Sequence, residues 1–350
     1  GIVNFDNRPV ERATLLSMQR RLEISSVDQS KLWLNGNVGF GHKMNFFTPE
    51  SFHEELPFFD STRKIAITAD TRIDNRDDVA RHLGIRLAND HQTTDSQLIL
   101  LAYEKRGVAF ASYLIGDFSI VIWDENKNQL VLATDHFGHQ PIYYHFEKGQ
   151  FIFASEIKPL TALIQKGPNP NKICDLLLLE NFYGNKESTY LKDISRVEPA
   201  TTMVVNDNGI EKHVYWRPDP TKRLPYKKES DLVEAFQEDM FRAVGDRIRT
   251  DLPVASMLSG GLDSSAITAV ASHILKNQNK ELIAIAGVIP ESSKPMFTDE
   301  REYIDEFKSF ENVRIEYMTA EGLGPMSGVA EKLRRTLLPN FSNRHFMYDA

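Results

Sequence analysis

The chain has 350 residues, 41% hydrophobic and 26% charged, a globular composition with length for about two domains. A net charge of −8 argues against non-specific nucleic-acid binding, and no apolar run approaches the roughly 20 residues of a membrane span. The one cysteine, Cys174, excludes an internal disulfide and points to a reducing, cytoplasmic setting, and the opening Gly1-Ile2-Val3-Asn4-Phe5-Asp6 does not read as a signal peptide.

In chain order, strand patterns come first. Residues 65–69 read as a short strand. Residues 118–123 and 129–134 form a hairpin around the polar stretch 124–128, and 141–145 with 150–154 form a second around 146–149. Helical periodicity appears at 95–106, through Leu98, Leu101, Ala102 and Tyr103, and at 156–165, through Ile157, Leu160, Leu163 and Ile164. Cys174 falls in the apolar helical run 173–179 and is expected in the core. Pro218, Pro220 and Pro225 lie in a polar stretch with linker chemistry, which divides the chain into 1–215, a linker at 216–228, and 229–350. Beyond it, 231–249 has an amphipathic helix pattern with Val233, Phe236, Met240, Ala243, Val244 and Ile248 inward. An apolar strand at 254–258, a helix through 266–271 and a second strand at 282–288 predict a parallel sheet with a right-handed crossover.

Between that strand and helix stands Ser259-Gly260-Gly261-Leu262-Asp263-Ser264-Ser265. Amides at a helix N-terminus lack intrahelical partners, and the helix dipole there favours anions. Glycine admits close approach and serine hydroxyls add donors. A carboxylate is out of place beside phosphate unless a cation lies between them, so Asp263 points to Mg²⁺ bridging it to a nucleotide phosphate. The run lacks the lysine of G-x-x-x-x-G-K-S/T and the spacing of G-x-G-x-x-G. The plainer reading, a capped strand-to-helix turn, accounts poorly for seven specified positions in this context.

The run resembles the pyrophosphate loop of ATP pyrophosphatases, and the variant SGGLDSS resembles that of asparagine synthetases. Gly116-Asp117-Phe118-Ser119-Ile120-Val121-Ile122-Trp123-Asp124, Thr134-Asp135-His136-Phe137-Gly138 and Phe153-Ala154-Ser155-Glu156 resemble the glutaminase-type domain of the asparagine synthetase B family. The resemblance covers essentially the whole chain. It implies a mixed α/β and α+β fold: an N-terminal nucleophile-hydrolase-like αββα sandwich over 1–215, then an α/β ATP-pyrophosphatase domain over 229–350. Either only the first part of that second domain is present or the chain has lost its chemistry, because the family's second Mg²⁺ aspartate loop and its residues for amide formation are not found in the sequence. The resemblance further implies ATP and Mg²⁺ as cofactors. Ser259, Gly260, Gly261, Ser264 and Ser265 would bind phosphates and Asp263 the metal. Met257 and Leu258 would lie under adenine, with Gly287 also near it. For Met257 and Leu258, plain core burial competes with that role.

Three positions depart from a working glutaminase. The chain opens Gly1-Ile2-Val3 where the family reads Cys-Gly-Ile with a nucleophilic N-terminal cysteine. Gly41-His42-Lys43-Met44 ends in methionine where the family has a carboxylate-binding arginine. Asp70-Thr71-Arg72 replaces the Asn-Gly-Glu oxyanion segment, and aspartate repels an oxyanion. Asp95 still matches the family residue that holds the glutamine amine. Together these departures predict an inactive glutaminase and an amine from elsewhere, as in β-lactam synthetases and lasso-peptide cyclases, which residues 70–78 and 298–304 also resemble. The expected function is an ATP-dependent amide-forming ligase that adenylates a carboxylate of a small molecule or peptide. A leader-peptide-binding partner and a homodimer are compatible with this, whereas nucleic acid and membrane are not expected partners. Two alternatives stay open: a glutamine-hydrolysing asparagine synthetase, and a non-catalytic nucleotide-binding scaffold. His136 and His139 have metal-like spacing, but the turn at Phe137-Gly138 and the lack of a third ligand favour a structural role. Asp299, Glu300 and Glu302 read as acidic residues opening a helix.

Overall fold

The computed structural model of the chain describes residues 1–23, 26–87, 92–178, 185–290, 299–324 and 326–339. Among the expectations above, those on Leu179 and Thr298 fall outside these residues. The chain divides into two compact units, one formed by Gly1–Asp219 with Arg334–Leu338, the other built on Pro220–Leu333.

Strands of the first unit are β1 (Ile2–Asn4), β2 (Gln29–Asn35), β3 (Val38–Met44), β4 (Phe58–Asp60), β5 (Ile65–Ile73), β6 (Gly116–Asp124), β7 (Gln129–Thr134), β8 (Tyr143–Glu147), β9 (Gln150–Ala154), β10 (Ser195–Arg196), β11 (Thr201–Asn206) and β12 (Gly209–Val214). They form two six-stranded sheets, ordered β10-β8-β9-β1-β3-β2 and β12-β11-β7-β6-β5-β4. The period-2 alternation of β6 explains the layering. Phe118, Ile120 and Ile122 face one way, against α2 (Arg76–Leu83) and α3 (Asp95–Arg106). Val121 and Trp123 face the other way, where Val3, Phe40, Phe151 and Phe153 of the first sheet meet them. A third cluster packs α1 (Arg12–Arg20) and α4 (Ile157–Leu160) onto the outer face of the first sheet through Leu15, Met18, Ile157 and Leu160. The result is helix, sheet, sheet, helix: an αββα sandwich.

Local chemistry sets several element ends. Helix α3 starts where Thr94 accepts from the Gln97 amide and Gln97 reaches back, a capping box. Other segments depart from the sequence patterns. The helix expected over 156–165 is regular only over Ile157–Leu160. Strand β5 runs on to Ile73, so Asp70, Thr71 and Arg72 sit within it, in register with Ser119, Phe118 and Asp117 of β6. Strand β8 starts at Tyr143 and runs to Glu147, leaving Lys148 and Gly149 as the turn. The core position expected for Cys174 is not what the fold provides: on α5 (Pro170–Leu177) it is exposed. Lys172, Ile173 and Leu176 face inward, and residues two apart on a helix point to different sides.

The second unit holds a parallel sheet of β13 (Val254–Leu258), β14 (Leu282–Gly287) and β15 (Val313–Met318), in that order. Helix α6 (Glu229–Arg247) packs on α7 (Leu262–Asn277) through Met240, Val244, Ala271 and Leu275. The inward positions expected at Val233, Phe236 and Ala243 are corrected: all three are exposed, the first two because α6 meets α7 only along its C-terminal half, and Ala243 because the contact runs through Met240, Val244 and Ile248. Helix α8 (Arg301–Asp305) follows, with Ile304 packed against Leu258, Ala284 and Ala286.

Candidate functional site

The strand-to-helix turn after β13 is held from both sides. Five successive residues of β13 pair in parallel with β14, ending at Leu258 opposite Ala286. Helix α7 is pinned to the strand by the buried Thr268, whose hydroxyl lies 2.9 Å from Ser256 Oγ, and to the far edge by Ser272 Oγ donating to Asn312 Oδ1 at 2.8 Å. Gly261 is the N-cap residue of α7, so the loop 259–261 lies at the C-terminal end of a parallel strand and at a helix N-terminus together. Open α/β sheets bind ligands at this end.

Within the loop, hydrogen bonds are local and dense. The Ser259 amide donates to Ser264 Oγ at 3.1 Å and the Gly261 amide to Ser259 Oγ at 3.3 Å. Ser264 and Ser265 hydroxyls both reach the Ser259 carbonyl at 3.2 Å. The Gly260 amide donates to Glu300 Oε2 at 2.9 Å. Glycine is required at 260 by close approach: a Cβ there would lie 2.8 Å from Glu300 Cβ and 3.1 Å from Tyr303 Cδ2. Asp263, in the first turn of α7, is exposed and has no hydrogen-bond or ion-pair partner among the described residues. It therefore offers a free carboxylate. No group of three metal-binding side chains gathers among the described residues, so Asp263 would supply one ligand and the phosphates others, which suits Mg²⁺.

The remaining contacts expected from the sequence spread along the same edge. Gly287 ends β14 one position beyond the Leu258–Ala286 pair. Met257 and Leu258 point to opposite faces of the strand. Leu258 is buried among Ala284, Ala286, Ile304 and Phe307, whereas Met257 is 52% exposed, so only Met257 has a side chain to offer a ring. Glu300 is the residue that sequence reasoning missed. It was legible as an acidic helix opener, but its carboxylate bonds the anion loop 40 residues earlier.

The first unit carries a second group of polar residues. Asp95, 4% exposed, accepts the Ile73 amide on Oδ2 at 2.9 Å and the Arg76 guanidinium on Oδ1. Arg76 also donates to the Thr93 carbonyl, and Glu50 Oε1, equally buried, lies 3.5 Å from it. One guanidinium is thus bracketed by two buried carboxylates. The Asp95 carboxylate is neutralised from within rather than left for a substrate amine. The Asp70 side chain is exposed on β5, yet protein crowds its carboxyl. Desolvation, and then the Asp117 carboxylate, push its carboxyl above the usual range. His42 sits with Nδ1 2.9 Å from Thr68 Oγ1, and burial lowers its pKa to about 4, so it is neutral at pH 7. Met44 ends β3 opposite Gln29 and brings no charge.

His136 and His139 do not converge. Asp135 accepts the amides of Phe137, His139 and Gln140, each at 3.0 Å, and so shapes the turn between them. His136 packs edge-on against Tyr215 and Trp216, and His139 Nδ1 lies 3.1 Å from Asp117 Oδ1. A cleft of about 500 Å³ beside His136, Trp216 and Arg217 belongs to this unit and contains no residue of the 259–265 loop.

Known proteins resemble both parts of the chain. Residues 1–216 match the family model described as a glutamine amidotransferase domain, and residues 235–315 match that described as asparagine synthase. The amidase chry2 of Gibberella zeae is 29% identical over 267 residues, which is 74% of this chain and 38% of that protein. The glutamine-hydrolyzing asparagine synthetase 3 of Bacillus subtilis is 28% identical over 288 residues, 80% of this chain and 46% of that protein. The chain thus spans less than half the length of either relative. Among solved structures, glutamine phosphoribosylpyrophosphate amidotransferase from B. subtilis, complexed with ADP and GMP, aligns with a TM-score of 0.36 and 13% identity, covering 81% of this chain and 68% of that one. The chain belongs to the glutamine amidotransferase domain family, with an asparagine synthase domain following in the same polypeptide.

Proposed function

We propose that this chain is part of an ATP-dependent ligase that forms an amide bond by adenylating a substrate carboxylate, releasing pyrophosphate and then AMP. The observation that carries this reading is the 259–265 turn: amides, hydroxyls and a free carboxylate gathered at a helix N-terminus on the C-terminal edge of a parallel sheet. In this reading Ser259, Gly260, Gly261, Ser264 and Ser265 orient the polyphosphate, Asp263 holds Mg²⁺, and Met257 with the backbone at Gly287 flanks the adenine. Mg²⁺ held at Asp263 would supply positive charge beside the phosphates.

The amine, we infer, is not glutamine-derived ammonia but belongs to the substrate, so that attack closes a ring, as in β-lactam or peptide macrolactam formation. Support comes from the first unit: Arg76 occupies Asp95, position 70 carries a carboxyl group where the family has an amide donor, and Met44 cannot bind a carboxylate. Glutamine-fed asparagine synthesis is the second reading, favoured by the name of the B. subtilis relative and opposed by these residues.

The test uses the full-length protein with ATP, Mg²⁺ and a panel of peptides and amino-acid derivatives that carry both a carboxylate and an amine. AMP and pyrophosphate should appear with the right substrate, and Asp263→Ala should lower their formation by about a hundredfold. Unchanged AMP formation in Asp263→Ala sinks the ligase reading. Glutamate release from glutamine in step with amide formation sinks the substrate-amine reading and restores the glutamine-fed one.

A further inference from the structure

The anion loop already holds a carboxylate of its own. Three consecutive amides, at Ser259, Gly260 and Gly261, donate to acceptors inside the protein. Two of those acceptors are serine hydroxyls of the loop itself, and a hydroxyl can rotate away without moving the backbone. The third is Glu300, which stands at the N-cap position of α8, in another part of the chain, without a side-chain bond to that helix. Its position is fixed on either side. Arg301 beside it donates through its guanidinium to the Ile289 carbonyl at 2.9 Å, and its amide donates to Asp299 Oδ1 at 2.9 Å. The tight approach of Glu300 Cβ to Gly260 holds the other side. Among the described residues no cation pairs with Glu300, and its carboxylate accepts the Gly260 N–H.

An oxyanion on an amide beside a helix N-terminus is the chemistry a phosphate would show at the same place. When a polyphosphate arrives, two anions contend for one donor, and their proximity is repulsive. We propose that Glu300 is an internal competitor for the polyphosphate site: it holds the Gly260 amide in the nucleotide-free protein and must release it when nucleotide binds. The proposal rests on reading 259–265 as the polyphosphate loop. Its consequence is a built-in threshold. Weakly held anions such as single phosphates fail to displace Glu300, whereas a polyphosphate with several further contacts succeeds.

The experiment titrates metal-free inorganic pyrophosphate, and separately ATP with Mg²⁺, into the full-length wild-type protein, Glu300→Gln and Glu300→Ala by calorimetry, at low and high salt. Glu300→Gln keeps the shape and loses the charge, and matched circular dichroism shows that the fold is intact. Both variants should bind pyrophosphate roughly five- to tenfold tighter at low salt, the scale of one charge-assisted hydrogen bond at an exposed site. The advantage should shrink as salt rises, which a purely structural role would not produce. Equal or weaker pyrophosphate binding by the variants, beside normal binding by wild type, overturns the proposal and leaves the polyphosphate reading standing. Loss confined to ATP with Mg²⁺ makes Glu300 a metal ligand and likewise overturns it. If neither wild type nor variant binds either probe, the polyphosphate reading itself fails, and the competitor with it.

Discussion

Replacing Arg76 with methionine should be among the most damaging single changes available in the first unit. The guanidinium is 11% exposed, and the two carboxylates it serves, Asp95 and Glu50, are 6% and 2% exposed at their side chains. Methionine keeps much of the volume and removes the charge, leaving both carboxylates buried without it. Breaking a buried pair by removing one partner costs about 3–5 kcal/mol, because the cost is that of an uncompensated buried charge. For a domain of this size about 4 kcal/mol corresponds to a drop of roughly 8–16 °C in Tm. Thermal unfolding followed by far-UV circular dichroism reads it, with the transition of the first unit separated from that of the second. The triple variant Arg76→Met, Asp95→Asn, Glu50→Gln removes all three charges. The carboxamide oxygen it places at position 95 can still accept the Ile73 amide, so this variant should recover a substantial part of the loss. A single variant within about 1 kcal/mol of wild type, or a triple variant no better than the single, refutes the picture of one cation serving two buried anions.

Two further outcomes follow from the same structure. Gly260→Ala places a Cβ 2.8 Å from Glu300 Cβ, which sits too near the backbone to swing aside. The start of α8 must then shift, and the second unit should lose about 1–3 kcal/mol of stability in a urea titration, whereas wild-type stability would refute the close approach. Folding lowers the pKa of His42 from its ordinary 6.5 to about 4, so as pH falls the unfolded chain takes up the proton first. The stability of a neutral His42 is complete above about pH 6.5 and is lost toward pH 4, by roughly 3 kcal/mol. Urea titrations across that window should show a shallower pH slope for His42→Gln than for wild type, and equal slopes would contradict the burial argument.

How far the chain can be read without its fold depends on sequence distance. The 259–265 turn is legible because its chemistry is local: the acceptors for the Ser259 and Gly261 amides lie within five residues of their donors. Helix α3 is legible for the same reason, since Thr94 and Gln97 cap each other across one turn. Strand β5 is legible only as far as Ala69. Its continuation through Asp70, Thr71 and Arg72 has no strand-like pattern and is held by pairing with β6, about 50 residues away in sequence. Burial is likewise a matter of neighbours. Cys174 and Phe236 are apolar residues on amphipathic helices, yet both are exposed: Cys174 points away from the side of Lys172 and Leu176, and Phe236 lies N-terminal to the part of α6 that meets α7. Residue order alone carries the anion loop, the alternation that makes two stacked sheets, and the departures from a glutaminase at Met44 and Asp70. That Arg76 fills the Asp95 site, and that Glu300 sits on the Gly260 amide, emerges only once the elements have packed. Each of those contacts joins groups from separate elements, and no local spacing encodes which carboxylate a folded chain will bring to which donor.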